Sequence, residues 1–233
     1  MNVDLLAVGA HPDDVELGVG GLLRKAVESG KQVAILDLTR GELSTRGTPG
    51  QRMEEARAAA SVLGVHYREN AGLPDGALAN IAVQQRAVAA FIRALRPRVL
   101  LAPMAPDRHP DHIAAHALVR DANFLSGLAK WDAHGEPHRA PYVYYYHAYQ
   151  DPASPSFVVD ISGQFEKKLE ALRAYASQFH NPDFQGKGTL VSSEAFWEGI
   201  RIRAAFWGQR IGVHFAEPLH AEGVVGLPLP PGL

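Results

Sequence analysis

The chain contains no cysteine. Disulfides and thiolate metal ligands are therefore excluded, and any bound metal must rely on His, Asp and Glu. Long apolar runs are missing as well. None approaches the roughly 18 residues needed to span a bilayer, so no membrane partner is expected. The first apolar run is short, carries Asp4 and has no basic segment before it, so it reads as a strand and not as a signal peptide. Nor is there an excess of positive charge. Lys and Arg number 23 against 25 Asp and Glu, a formal net charge of -2, which argues against nucleic acid as a partner. What is present is an ordinary balance of 46% hydrophobic and 21% charged residues over 233 positions. That length suits one sizeable core and is short for two. The expectation is a single cytoplasmic domain over residues 1–233, ending in an irregular Pro- and Gly-rich tail from Gly223 to Leu233.

Val3–Val8 is a nearly continuous apolar run, as expected of a strand covered on both faces. Leu17, Leu22, Leu23, Ala26 and Val27 then recur at helical spacing between Val15 and Ser29, and Gly30 supplies a stop. Val33–Leu38 reads as a second buried strand. The loop Thr39–Thr48 is too long for a mere connector and hints at function. Thr48-Pro49 opens a helix to about Leu63-Gly64. A weak strand at His66–Asn70, a helix from about Ile81 to Leu95, a strand at Val99–Ala102 and a helix from Pro110 to about Leu128 follow. This alternation predicts an α/β fold, a Rossmann-like three-layer α/β/α sandwich around a mostly parallel sheet. Beyond it, Tyr142–Tyr146 and Phe157–Ile161 are strand-like, and helices are predicted over Phe165–Ser177 and Phe196–Ile211. Asp132–Pro141 reads as an exposed excursion.

Two polar clusters stand out. His11-Pro12-Asp13-Asp14 follows the first strand, and Asp107-Arg108-His109-Pro110-Asp111-His112 follows the strand ending at Ala102. In an open α/β sheet both fall at the carboxyl edge, where ligands bind. Two imidazoles and a carboxylate make a catalytic zinc set with a position left for water, and the same triad can hold non-haem iron. The remaining groups are candidates for general base and oxyanion stabiliser. Taken singly, each cluster reads more readily as structural, the first as a turn with an N-cap and the second as Pro at the first helical position with Asp in the first turn. Their convergence at one sheet edge favours a site. His66, His134, His138, His214 and His220 lack such a setting and read as surface or locally satisfied groups. His112 and His116 have the i, i+4 spacing of a zinc-protease helix, but Ile113 stands where its Glu belongs. Gly18-Val19-Gly20 resembles a fragment of a dinucleotide fingerprint, yet it lies inside a helix pattern.

Ala10-His11-Pro12-Asp13-Asp14 with His109-Pro110-Asp111-His112 resembles the LmbE-like (PIG-L) family of zinc-dependent N-acetylglucosamine deacetylases. The resemblance continues through Thr39-x-Gly41-Glu42, Gly47-Thr48, Arg52, Glu55-Ala56, Leu63-Gly64 and Leu73-Pro74-Asp75-Gly76. Val159-Asp160-Ile161-Ser162 and Tyr175-x-Ser177-Gln178 extend it over nearly the whole chain. The late segments are most similar to the bacillithiol-biosynthesis branch, which acts on N-acetylglucosaminyl-malate. The region after Val191 matches least, and Phe196 stands where some relatives place a tyrosine.

Residue by residue, the resemblance implies one Zn2+ per chain, or another divalent ion such as Fe2+, on His11, Asp14 and His112. It implies Asp13 as general base, a protonated His109 as oxyanion-stabilising acid and Asp111 orienting His109; the residues alone do not say which Asp binds metal. Arg52 matches a family arginine of the substrate site. It and Arg108, which flanks His109, are candidates to read the malate carboxylates, since guanidinium pairs bidentately with carboxylate. The implied partner is a small-molecule glycoside, and the implied assembly is a homo-oligomer, a hexamer by the same resemblance. Alternatives in the same chemistry are a chitobiose-type deacetylase and an amidase of a thiol conjugate. A metal- or sugar-binding protein without turnover is a different class.

Overall fold

The computed structural model describes residues 2–149 and 154–226. Of the tail expected over Gly223–Leu233, only 223–226 fall within them. Five parallel strands form the central sheet: β1 (Leu5–Gly9), β2 (Val33–Asp37), β3 (Tyr67–Asn70), β4 (Val99–Pro103) and β5 (Tyr142–Tyr146), in the order β3-β2-β1-β4-β5. The helices between them are α1 (Asp14–Glu28), α2 (Pro49–Leu63), α3 (Ala82–Leu95) and α4 (Pro110–Ser126). From β1 the chain builds outward through β2 and β3, then crosses back to place β4 on the other side of β1. The crevice between the ends of β1 and β4 is therefore the topological switch point of the sheet.

The period-two pattern of the strands sorts their side chains into two cores. Leu5, Ala7, Val33 and Ile35 face one side, against Leu17 and Leu23 of α1 and Ala56, Ala59 and Leu63 of α2. Leu6, Val8, Ala34 and Leu36 face the other, against Val88 and Ile92 of α3 and Ala115, Leu118 and Val119 of α4. Each fully buried aliphatic side chain contributes about 1.5–3 kcal/mol relative to exposure. The expected α/β/α layering is what the structure shows.

The last third departs further from expectation. A two-stranded antiparallel ribbon, β6 (Phe157–Asp160) with β7 (Ala216–Leu219), is joined to β5 by a bridge between Tyr145 and His220. The sequence reading contained no β7. Its Pro218 is tolerated because β7 pairs on one side only within this ribbon. Helix α5 runs Phe165–Arg173 instead of reaching Ser177. The next residues turn away because their polar groups are claimed elsewhere: Tyr175 Oη donates to Glu16, and Ser177 donates to Glu55 from both its amide and its hydroxyl. Helix α6 (Glu194–Gln209) is capped by Ser193, whose hydroxyl accepts from the Phe196 amide.

Helix α1 is two segments. Val19 (φ -137°, ψ 19°) leaves the helical region, and the freed amides of Gly21 and Leu22 donate to the Glu217 carboxylate of β7 at 3.0 and 2.7 Å. A Cβ on Gly18 would stand 2.1 Å from the ring of Tyr146, and one on Gly21 would stand 2.6 Å from Ile161. Gly18, noticed in the sequence, and Gly21 thus admit close packing, whereas a Cβ on Gly20 would meet its nearest neighbour only at 3.4 Å. Among the described residues no helix is long and apolar enough to cross a membrane.

Candidate active site

Both polar clusters reach the switch point, one after β1 and one after β4. Ring centroids of His11, His109 and His112 lie 4.7–5.6 Å apart, although nearly a hundred residues separate the clusters. Asp14, the first residue of α1, lies between two of the rings. Its Oδ2 accepts the His11 amide at 2.8 Å and lies 3.3 Å from His11 Nδ1, while its Oδ1 lies 3.2 Å from His112 Nε2.

Asp14 Oδ1 and His112 Nε2 are buried, and neither has a hydrogen-bond partner. The two atoms lie 3.2 Å apart in the interior, a costly arrangement unless a cation, a proton or a metal ion, is shared between them. His11 Nδ1, Asp14 Oδ1 and His112 Nε2 therefore form a donor set that fits a divalent ion. The far nitrogens of both rings meet carboxylates, as metal-bound histidines usually do. His112 Nδ1 is 3.2 Å from Asp107, and His11 Nε2 is 3.1 Å from Asp75 and 3.2 Å from Asp111. Among the described residues, single ligand atoms within 4.8 Å of one another are found for His11, His109 and His112 and for His11, Asp75 and Asp111, so these two sets are the geometric rivals.

The electrostatics favour a cation here. Burial disfavours the charged form of His11, yet its hydrogen bonds to Asp111, Asp14 and Asp75 prevail and raise its pKa well above the ordinary value. For His112 burial is likewise outweighed, by the charge of Asp14 and the bond to Asp107, and the pKa is pushed up to about 9. Burial opposes the charge of Asp14 too, but His112 and His11 hold it well below the usual carboxylate range. These carboxylates hold protons on the imidazoles in the absence of metal.

Asp13 behaves differently from its neighbour. It is the N-cap of α1, yet its side chain makes no capping bond, and its φ of 113° is a strained value for a non-glycine residue. The strain turns its carboxylate to Arg52, whose Nη2 donates to Oδ2 at 2.7 Å while Nε donates to the Pro12 carbonyl at 2.9 Å. Burial pushes the Asp13 carboxyl up, Arg52 pulls against it, and the result is about 7. A carboxylate poised there, with one oxygen anchored, suits proton transfer at neutral pH.

His109 differs from the expected imidazolium. Its Nδ1 accepts the Asp111 amide at 3.2 Å, capping α4. That assigns the proton of a neutral ring to Nε2. Burial, followed by the charges of His11 and His112, lowers its pKa. His109 is thus a neutral Nε2–H donor. Nor does the Asp111 carboxylate orient it, as the resemblance implied. That carboxylate accepts the amides of Gly76 and Leu78 and meets His11, and only the Asp111 backbone touches His109.

A cavity of about 280 Å³ opens over these groups. Its lining includes His11, Asp13, Arg52, Asp75 and His109 together with Leu43, Ser44, Gln178, Thr189 and Val191. The loop Thr39–Thr48 reaches it as expected, and the Leu43 amide donates to Asp75 at 2.8 Å. Arg108 does not reach it. It is exposed, lies in a bend of the loop before α4 and is absent from the lining. Arg52 lines the cavity but is paired with Asp13. Sequence reasoning assigned no role to Asp75, Asp107 or Tyr149. Asp75 sits in a quoted motif and Asp107 in a quoted cluster, whereas Tyr149 carries no local signal.

A family model described as GlcNAc-PI de-N-acetylase matches residues 6–123, a span containing both clusters. The diacetylchitobiose deacetylase of Thermococcus kodakarensis is 30% identical over 231 residues, covering 91% of this chain and 80% of its own. A 1D-myo-inositol 2-acetamido-2-deoxy-alpha-D-glucopyranoside deacetylase of Rhodococcus erythropolis is 31% identical over 175 residues, 60% of each chain. Among solved structures, the conserved protein TT1542 from Thermus thermophilus superposes with a TM-score of 0.88 at 40% identity, covering 97% of this chain and 98% of its own. With its sheet, its two clusters and these relatives together, the chain belongs to the PIG-L family of hydrolytic, metal-dependent de-N-acetylases.

Proposed function

We propose that the protein hydrolyses the acetamide of an N-acetylglucosamine derivative, releasing acetate and a 2-amino sugar. The observation that carries this reading is the juxtaposition of Asp13, anchored by Arg52, with the orphaned donor pair of Asp14 and His112. A divalent ion on His11, Asp14 and His112 supplies Lewis acidity and brings the pKa of water from 15.7 to about 7; zinc suits two imidazoles and a carboxylate, and iron(II) is the alternative.

The chain's own residues do the rest. Asp13 Oδ1 takes a proton from the attacking water, while Arg52 keeps Oδ2 in place. His109 Nε2–H faces the cavity and stabilises the charge that develops on the acyl oxygen; one such donor is worth about 3–4 kcal/mol. Asp13 then returns its proton to the departing amine nitrogen. Gln178 and Ser44 of the lining offer polar atoms to sugar hydroxyls.

The finer reading is the malate glycoside of bacillithiol biosynthesis, and its support is the resemblance of the late sequence segments. The cavity adds none, since Arg52 is the one guanidinium or ammonium group among its described lining residues and is already paired with Asp13. A chitobiose-type substrate makes no demand for a free cation. Acetate release measured on N-acetylglucosamine, its malate glycoside, diacetylchitobiose and a thiol conjugate ranks these substrates. No release from any of them, with metal loaded, refutes the deacetylase reading.

A further inference from the structure

Among the residues lining the cavity, one that lies outside both clusters is Tyr149. Tyr149 follows β5, the neighbour of β4, and so reaches the same edge of the sheet. Its ring lies flat on His112, with centroids 5.3 Å apart and planes 6° from parallel. Phe196 of α6 packs on its other side at 6.0 Å. The backbone that presents it is tied down by Arg203 of α6, which donates to the Ala148 carbonyl at 2.7 Å and to the Leu17 carbonyl at 3.1 Å. An aromatic ring wedged between a helix and a candidate metal ligand is thus fixed in place, and it is the one phenol among the described lining residues.

We propose that Tyr149 is a catalytic residue whose phenol O–H donates to the acyl oxygen of the bound acetamide, alongside His109 Nε2–H. The inference rests on the deacetylase reading. A phenol keeps its proton at neutral pH and is therefore a donor, and Tyr149 lines the same cavity as Asp13 and His109. In the addition step the water oxygen bonds to the acyl carbon, its proton passes to Asp13, and the carbonyl π pair moves onto the acyl oxygen. Collapse restores the carbonyl, breaks the C–N bond and sends the Asp13 proton to nitrogen. Tyr149 only donates a hydrogen bond, which tightens as the acyl oxygen gains charge.

Tyr149→Phe and Tyr149→Leu, compared with wild type after zinc loading, test this. Tyr149→Phe retains the ring on His112 and loses only the hydroxyl. Its kcat on an N-acetylglucosamine glycoside should fall about a hundredfold, with KM within about threefold, as for loss of one oxyanion donor. Its zinc content and Tm should match wild type. Tyr149→Leu should lose as much in kcat and also release zinc to a chelator faster, because His112 has lost its stacked face. A Tyr149→Phe kcat within about threefold of wild type overturns the proposal. An effect on KM alone also overturns it and places the phenol at the sugar ring. A wild type that deacetylates none of the substrates overturns the deacetylase reading itself, and this inference falls with it.

Discussion

Asp13→Asn is the substitution that separates the two adjacent aspartates most cleanly. Arg52 holds Asp13 Oδ2 at 2.7 Å, so an Asn keeps that contact with its amide oxygen. The amide nitrogen then replaces Oδ1 at the cavity and cannot take a proton. Loss of a general base costs typically 10²–10⁴ in rate, which is about 3–5 kcal/mol of barrier. Stability should change little, because a buried carboxyl already pushed up to about 7 gains little from its charge. Asp14→Asn acts elsewhere. It weakens a ligand set whose other members, His11 Nδ1 and His112 Nε2, lie 3.3 and 3.2 Å from that carboxylate. The assays are acetate release and metal content after dialysis. Asp13→Asn should keep about one divalent ion per chain and lose at least about a hundredfold in kcat. Asp14→Asn should lose the ion itself. An Asp13→Asn variant that loses metal while Asp14→Asn retains it would refute the assignment. Full metal content in both would point to one of the two rival sets.

Glu217→Ala strips a buried carboxylate from Lys168 at 2.6 Å and from the amides of Gly21 and Leu22, and urea unfolding should register a loss of about 3–5 kcal/mol, the usual cost of breaking a buried pair. Gly18→Ala drives a methyl to 2.1 Å from the Tyr146 ring and should cost about 1–3 kcal/mol by the same measurement, with less than additive loss when combined with Tyr146→Leu. Arg52→Ala should lower kcat/KM on every substrate at least about tenfold by releasing Asp13, whereas Arg108→Ala, exposed outside the cavity, should stay within about twofold. An Arg108→Ala loss confined to the malate glycoside would restore the malate-reading role that the geometry withholds from it.

Local signals carried much of this molecule. The apolar runs of β1, β2 and β4 and the Pro-opened helices α2 and α4 follow from burial and capping chemistry that a short window displays. What stayed illegible depends on distant partners. Ala216–Leu219 has no strand pattern of its own and becomes β7 by pairing with β6 and delivering Glu217 to the break in α1. Gly18 looked like part of a phosphate loop because the sequence does not show Tyr146, 128 positions away, whose ring excludes a side chain there. Arg108 looked functional through adjacency to His109, but neighbours in a bent loop need not face the same way, and Arg108 is exposed outside the cavity.

The same logic explains how one motif could supply both the proposed base and the proposed ligand. Asp13 and Asp14 are chemically identical and adjacent, so no reading of composition or spacing separates them. The backbone does. Asp13 at φ 113° stands just outside the helix and aims across to Arg52 of α2, whereas Asp14, the first helical residue, faces the imidazoles from the β1 and β4 loops. A strained conformation persists only where its surroundings over-determine it. Here the Arg52 bond to the Pro12 carbonyl, the Asp13–Leu17 backbone bond at 2.9 Å and the ion pair itself do so. Their environments then split the pair, leaving one carboxyl near neutral pH and the other ionised among cationic rings. Two like groups pushed apart in this way are suited to opposite tasks, one to exchange a proton and the other to keep its charge.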